Sequence, residues 1–221
     1  MRLGLIGRGY WGNVYAKTLT KMGVEFWQAG RNWREMPKPD AAIVACSANA
    51  HYKTAKQLIS QSVPVLIEKP VCLSAYDAEK LLKFAKFKGG IVFVGHTRLY
   101  SPEWQKFKMQ ASIQSIRFFA GGKSKLGWSL DWLPHLMAMC LDIGVHPSAA
   151  TFKEKNGRLG VIVNETLEFK DELTDPTPLE CLLTEFMSCV KLGLPDVRGL
   201  SLGVRVMQEI ERMTMGEAYG T

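Results

Sequence analysis

Long hydrophobic runs are missing from these 221 residues, and no stretch reaches the length that crosses a bilayer as a helix. No membrane role is expected, and Gly7 and Arg8 interrupt the first apolar run too early for a signal peptide. Internal repeats and low-complexity segments are also lacking, which excludes a solenoid or a disordered linker. Histidine is scarce: four residues, dispersed, with no ligand spacing, so no metal site is expected. The five cysteines (Cys46, Cys72, Cys140, Cys181, Cys189) are odd in number and form no Cys-x-x-Cys pair. They are read as reduced thiols, which excludes a disulfide framework and points to the cytoplasm. Acidic residues are thin in the first half. Residues 1–95 hold 14 Lys and Arg against 6 Asp and Glu, or +8, whereas residues 96–221 hold 14 against 15, or −1. A basic first half suits a phosphate-bearing ligand. It carries no basic run and no nucleic-acid motif, so nucleic acid is not the expected partner.

The most informative stretch is the first. Arg2-Leu3-Gly4-Leu5-Ile6 reads as a short buried strand, Gly7-Arg8-Gly9-Tyr10-Trp11-Gly12 as a turn, and residues 13–21 as a helix. A G-x-G-x-x-G turn between a strand and a helix is the context that makes it a dinucleotide fingerprint. Gly7 permits the tight turn, Gly9 lets the backbone approach a pyrophosphate, and Gly12 lets the helix sit close to the strand. Free N–H groups at the helix start then face the phosphates. An acidic residue about 20 positions later commonly binds the adenosine ribose hydroxyls. Here Gly30, Arg31 and Asn32 occupy that place. A small residue leaves room for a 2′-phosphate and an Arg pairs with it, so NADP(H) is favoured over NAD(H).

Further along, strands are expected at 24–28, 41–46, 63–67 and 91–94, with helices at 51–61 and 74–87. Ser74 caps the second of these, with Asp77 three positions on. Alternating strands and helices at this spacing predict a doubly wound parallel α/β sheet over residues 1–95. Its ligand should lie beyond the carboxyl ends of the strands, where Cys46, Ser47, Ala48, Asn49 and His51 follow the third and Glu68, Lys69 and Pro70 the fourth. His51 either lines that loop or only begins its helix. After Gly95 the pattern changes to α+β over residues 96–221. A strand is expected at 112–120, an apolar buried helix at 131–142, and strands near 150–155 and 159–164, with 166–169 as a further one. Helices at 178–192 and 202–213 close the chain. The sheet of this half is expected to be small and mainly antiparallel.

Three separated motifs fit one family: Gly7-Arg8-Gly9-Tyr10-Trp11-Gly12, Glu68-Lys69-Pro70 and Asp131-Trp132-Leu133-Pro134-His135. The chain resembles the glucose–fructose oxidoreductase / inositol dehydrogenase / MocA (Gfo/Idh/MocA) family of NAD(P)-dependent oxidoreductases. The resemblance implies a Rossmann domain (1–95) followed by a substrate and oligomerisation domain (96–221). It implies that Lys69 reaches both the cofactor ribose and the substrate hydroxyl, and that the peptide bond to Pro70 is often cis. Asp131 and His135 then match the positions that touch the reacting group. Two departures are visible. The second half has only about 125 residues, and Leu133 stands where the family usually has glycine.

The residue types suit hydride transfer, which needs a partner for the hydroxyl proton. Histidine serves that role near neutral pH, which makes His135 the candidate acid/base. Lys69 would stabilise developing charge on the oxygen. Asp131 lies one helical turn before His135 and would orient it or contact a sugar hydroxyl. His96 and Arg98, just past the fifth strand, are placed toward the nicotinamide side or in a domain-linking hydrogen bond. The expected partner is a small sugar-like molecule, with self-association through the C-terminal sheet. The alternative is a non-catalytic dinucleotide-binding protein without a complete substrate pocket.

Overall fold

The computed structural model describes residues 1–109, 116–121, 133–144, 151–155, 158–163 and 175–218. They divide into two compact units: Met1–Gly95 with Leu182–Met207, and His96–Cys181 with Gln208–Thr221. The first continuous run of the first unit ends at Gly95. Residues 182–207, however, return to the first unit.

The first unit is built on a parallel five-stranded sheet in the order β2-β1-β3-β4-β5. Its strands are β1 (Leu3–Ile6), β2 (Phe26–Ala29), β3 (Ala41–Val44), β4 (Val65–Ile67) and β5 (Val92–Val94). Strands β1, β3, β4 and β5 are buried along their whole length, as expected of a parallel sheet with both faces covered. Strand β1 pairs with β2 on one side and β3 on the other, with Leu3 level with Phe26 and Ala41. The chain therefore reverses its direction of winding at β1, and the carboxyl ends of β1 and β3 are where sheets of this order commonly bind ligands.

Three helices cross over between strands: α1 (Tyr10–Lys21), α2 (Ala48–Ser60) and α3 (Ala75–Phe87). Helix α3 starts as the sequence predicts, with the Ser74 hydroxyl accepting from the Asp77 N–H at 3.1 Å. Helix α2 begins earlier than expected. Ser47 is its N-cap residue with extended backbone, so Ala48 and Asn49 belong to the first turn and not to a loop. No crossover helix separates β2 from β3; a single 3-10 turn, Trp33–Glu35, spans that link.

The edge of β5 is covered from far along the chain. Ile91 bridges to Asp196, Val92 N–H donates to Asp196 O at 2.7 Å, and Arg198 clamps the Asp196 carboxylate. That guanidinium holds the Asp196 carboxyl below its usual range. Phe186 packs on Phe93 with ring centroids 5.4 Å apart. Gly199 brings its helix onto the backbone of Phe93 and Val94, where an added Cβ would lie 3.3 Å from Val94 N.

In the second unit a 3-10 turn, Thr97–Tyr100, leads into α4 (Pro102–Lys108), capped by the Ser101 hydroxyl. Helix α5 (Leu133–Asp142) is buried from Leu133 through Leu141, as its all-round apolar sequence predicts. Trp104 of α4 donates its indole N–H to Asp142 at 2.7 Å, and Lys108 pairs with the same carboxylate at 2.9 Å. Strands β6 (Ile116–Gly121), β7 (Thr151–Lys155) and β8 (Arg158–Val163) pair antiparallel in the order β6-β8-β7. The strand expected at 166–169 lies outside the described residues. Helices α6 (Pro178–Leu192) and α7 (Arg198–Ala218) complete the chain. Among the described residues, no helix is long and apolar enough to cross a membrane.

Candidate functional site

The turn after β1 is fixed by what touches its glycines. Gly7 has φ +144°, and a Cβ there would run into the Ala45 carbonyl. Gly12 in the first turn of α1 sits so close to the strand end that a Cβ would stand 2.7 Å from the Gly7 carbonyl carbon. These two glycines are required by protein–protein contact alone. Gly9 differs: its φ of −77° is ordinary, and nothing lies within 4 Å of the place a Cβ would take. The space is open at the N-terminus of α1, which has no side-chain cap. Uncapped N–H groups beside an open backbone fit an anion such as a pyrophosphate.

Gln28, near the end of β2, fastens the turn. Its amide donates to Gly7 O at 2.8 Å and to Asn13 Oδ1 at 3.4 Å. Arg8 in turn donates to Gln28 O at 3.4 Å. Sequence reasoning missed Gln28; its signal was a polar residue inside the strand, after Phe26 and Trp27. Tyr10 and Trp11 stand exposed at the start of α1, edge to face with centroids 5.5 Å apart. At the end of β2, Gly30 is half-buried while Arg31 and Asn32 are exposed. No hydrogen bond or ion pair engages Arg31 among the described residues, leaving its guanidinium to solvent.

Beyond β4, the Lys69–Pro70 peptide bond is cis. Lys69 is 8% exposed, and its ammonium lies 5.9 Å from the centroid of the Trp11 ring. The structure thus brings Lys69 to the glycine turn. The Glu68 carboxylate points the other way, into the protein. One oxygen accepts from the buried Tyr15 hydroxyl at 2.7 Å and the other from Lys69 N–H at 3.0 Å. Burial first, then the Glu68 charge, pushes the Tyr15 phenol well above its usual range, so it is a donor at neutral pH. Tyr15, which sequence reasoning did not single out, ties α1 to the residue before Lys69.

At the end of β3, Cys46 is half-buried and Ser47 and Asn49 are exposed. Burial raises the Cys46 thiol pKa, opposed in part by Thr54. His51 is buried, with Nδ1 2.8 Å from Pro70 O and Nε2 3.1 Å from Cys46 O. The ring therefore joins the β3–α2 loop to the Lys69–Pro70 turn. In the second unit, His96 and His135 are both buried and lie edge to face, with centroids 6.4 Å apart. Arg98 is half-buried on the 3-10 turn after His96. Asp131 lies outside the described residues. Among the described residues, no cluster of His, Cys, Asp or Glu could hold a metal ion.

A parallel sheet whose first strand enters helix α1 through this glycine turn is the arrangement of a Rossmann-type fold. Residues 15–96 match the family model described as "Oxidoreductase family, NAD-binding Rossmann fold". Over those residues the chain is similar to that family, Gfo/Idh/MocA. Among curated proteins it is similar to the rhizopine catabolism protein MocA of Rhizobium meliloti, at 22% identity over 129 residues covering 48% of this chain and 41% of that protein. It is also similar to the myo-inositol 2-dehydrogenase of Thermotoga maritima, at 26% identity over 134 residues covering 49% and 40%. The matches therefore span about two fifths of these relatives. Among solved structures, a Gfo/Idh/MocA family oxidoreductase from Vibrio cholerae superposes with a TM-score of 0.73 at 12% identity, covering 99% of each chain. At that identity the likeness is one of fold.

Proposed function

We propose that this chain is an NAD(P)-dependent oxidoreductase that transfers a hydride between nicotinamide and the hydroxyl or carbonyl carbon of a sugar, nucleotide sugar or cyclitol. The observation that carries the reading is the contrast among the three glycines: Gly7 and Gly12 are crowded by backbone, while Gly9 faces open space at an uncapped helix N-terminus. Gly7, Gly9, Tyr10, Trp11 and Gly12 would hold the pyrophosphate, and Cys46, Ser47, Ala48, Asn49 and the 68–70 turn would line the rest of the dinucleotide, with His51 buried behind them. The nicotinamide, when bound, supplies the two-electron acceptor or donor.

The chain's own groups manage the oxygen and its proton. Lys69 holds the substrate oxygen and stabilises charge that develops on it. His135 takes or gives the hydroxyl proton, a task suited to imidazole near neutral pH. Asp131, four positions before His135 in the sequence, would orient it, and Arg98 would serve the nicotinamide side. Exposed Arg31, beside side-chain-free Gly30 and with Asn32 following, supports NADP(H) over NAD(H). The relative named as a myo-inositol 2-dehydrogenase supports a cyclitol or sugar hydroxyl.

The test is titration with NADPH and NADH by nicotinamide fluorescence, followed by a screen for NAD(P)H oxidation with keto-sugars, nucleotide sugars and keto-cyclitols. His135→Ala should keep binding and lose turnover, and Arg31→Ala should weaken NADPH more than NADH. Binding without turnover on any such substrate would mark a non-catalytic dinucleotide-binding protein instead. Failure to bind either dinucleotide would overturn both readings.

A further inference from the structure

His51 stands in the first turn of α2, 2% exposed, with both ring nitrogens against backbone carbonyls. Carbonyl oxygens only accept. A neutral imidazole carries one N–H and an imidazolium two, so a neutral ring can donate to Pro70 O or to Cys46 O but not to both. Burial lowers the His51 pKa from 6.5, outweighing the two carbonyls that raise it, so the neutral ring is the form near pH 7. The Nδ1 contact to Pro70 O, at 2.8 Å, is the shorter of the two and the better placed for the single N–H.

We propose that His51 is a positioning residue: its Nδ1–H bond to Pro70 O locks the Lys69–Pro70 turn against the β3–α2 loop and so fixes where the Lys69 ammonium stands beside the glycine turn. The functional part of this inference rests on the dinucleotide reading above. The geometric part does not. Lys69 immediately precedes the bonded carbonyl residue and its side chain is almost fully covered, so its placement depends on how that turn is held. Cys46 O, at the end of β3, gives the ring its second wall and fixes its tilt.

The two amide substitutions separate the two contacts. An asparagine amide N–H reaches near the Nδ1 position, and a glutamine amide near Nε2. Purified full-length protein and its His51→Asn, His51→Gln and His51→Ala variants are compared in two ways. The first is the rate at which acetic anhydride labels Lys69, read by peptide mass spectrometry on the free protein. The second is the affinity for NADPH and NADH. Melting temperatures of all four are recorded alongside.

One hydrogen bond corresponds to about a threefold to tenfold effect. The expected result is that His51→Gln labels Lys69 faster and binds dinucleotide more weakly by that factor, whereas His51→Asn stays near wild type in both. Equal behaviour of the Asn and Gln variants, or effects that follow melting temperature alone, would overturn the proposal and leave His51 a packing residue. If His51→Ala does not fold, the Asn and Gln pair still decides. If no protein binds dinucleotide, the functional reading fails while Lys69 labelling still tests the positioning.

Discussion

Replacing Tyr15 by phenylalanine removes one oxygen atom and leaves the ring in place. Tyr15 is fully buried in α1, and its hydroxyl donates to Glu68 Oε1 at 2.7 Å. The substitution opens no cavity of side-chain size, so the loss is that of a donor to a buried carboxylate. Hydrogen bonds to charged groups contribute about 1.5–3 kcal/mol, against about 1 kcal/mol for neutral pairs. For a chain of this length, with about 2–4 °C of melting temperature per kcal/mol, Tyr15→Phe should melt about 3–12 °C below wild type. The assay is thermal and urea unfolding of wild type, Tyr15→Phe, Glu68→Gln and the double variant. Because the two side chains touch, the double variant should lose less than the sum of the singles, with a coupling of about 1–3 kcal/mol. A loss below about 0.5 kcal/mol, with the two substitutions additive, would refute the claim that this bond ties α1 to the β4 turn.

Gly12→Ala should destabilise the protein by about 1–3 kcal/mol, because the clash with the Gly7 carbonyl outweighs the helix preference of alanine. Denaturant titration checks it, and a neutral or stabilising result would mean the turn relaxes freely. Stability should also depend on acid through His51. Its native pKa lies below the unfolded value of 6.5, so the unfolded chain takes the proton first as pH falls. The stability from a neutral buried ring is therefore complete above pH 6.5 and is lost as pH falls from there toward the native pKa. Melting temperatures of His51→Asn, which cannot titrate there, should fall less steeply below pH 6.5 than those of wild type; parallel curves would contradict the assignment.

The parts of the site that were legible in the sequence are those written in local backbone rules. Gly7 and Gly12 are demanded by a turn and a close approach, and the Ser74 cap by the start of α3. Lys69 was recognisable because it ends a buried run, and its neighbourhood with Trp11 follows from strand order. What the sequence did not disclose is tertiary. Gln28 binds the glycine turn across 21 positions and Tyr15 meets Glu68 across 53, and no periodicity encodes either. The start of α2 was misjudged because Ser47-Ala48-Asn49 looks like a polar loop, while Ser47 in fact occupies the N-cap position. The return of residues 182–207 to the first unit depends on Phe186, Asp196 and Gly199 meeting β5 from a distant segment.

Gly9→Ala tests the central claim most directly, because the fold does not need this glycine. Its φ is ordinary and nothing lies within 4 Å of the added methyl, so the variant should keep the wild-type melting temperature. The same methyl would stand where a pyrophosphate approaches the start of α1. Titration with NADPH and NADH should show binding weakened about tenfold or more, a loss of about 1.4 kcal/mol, in a protein as stable as wild type. Unchanged dinucleotide affinity in a well-folded Gly9→Ala variant would contradict the account.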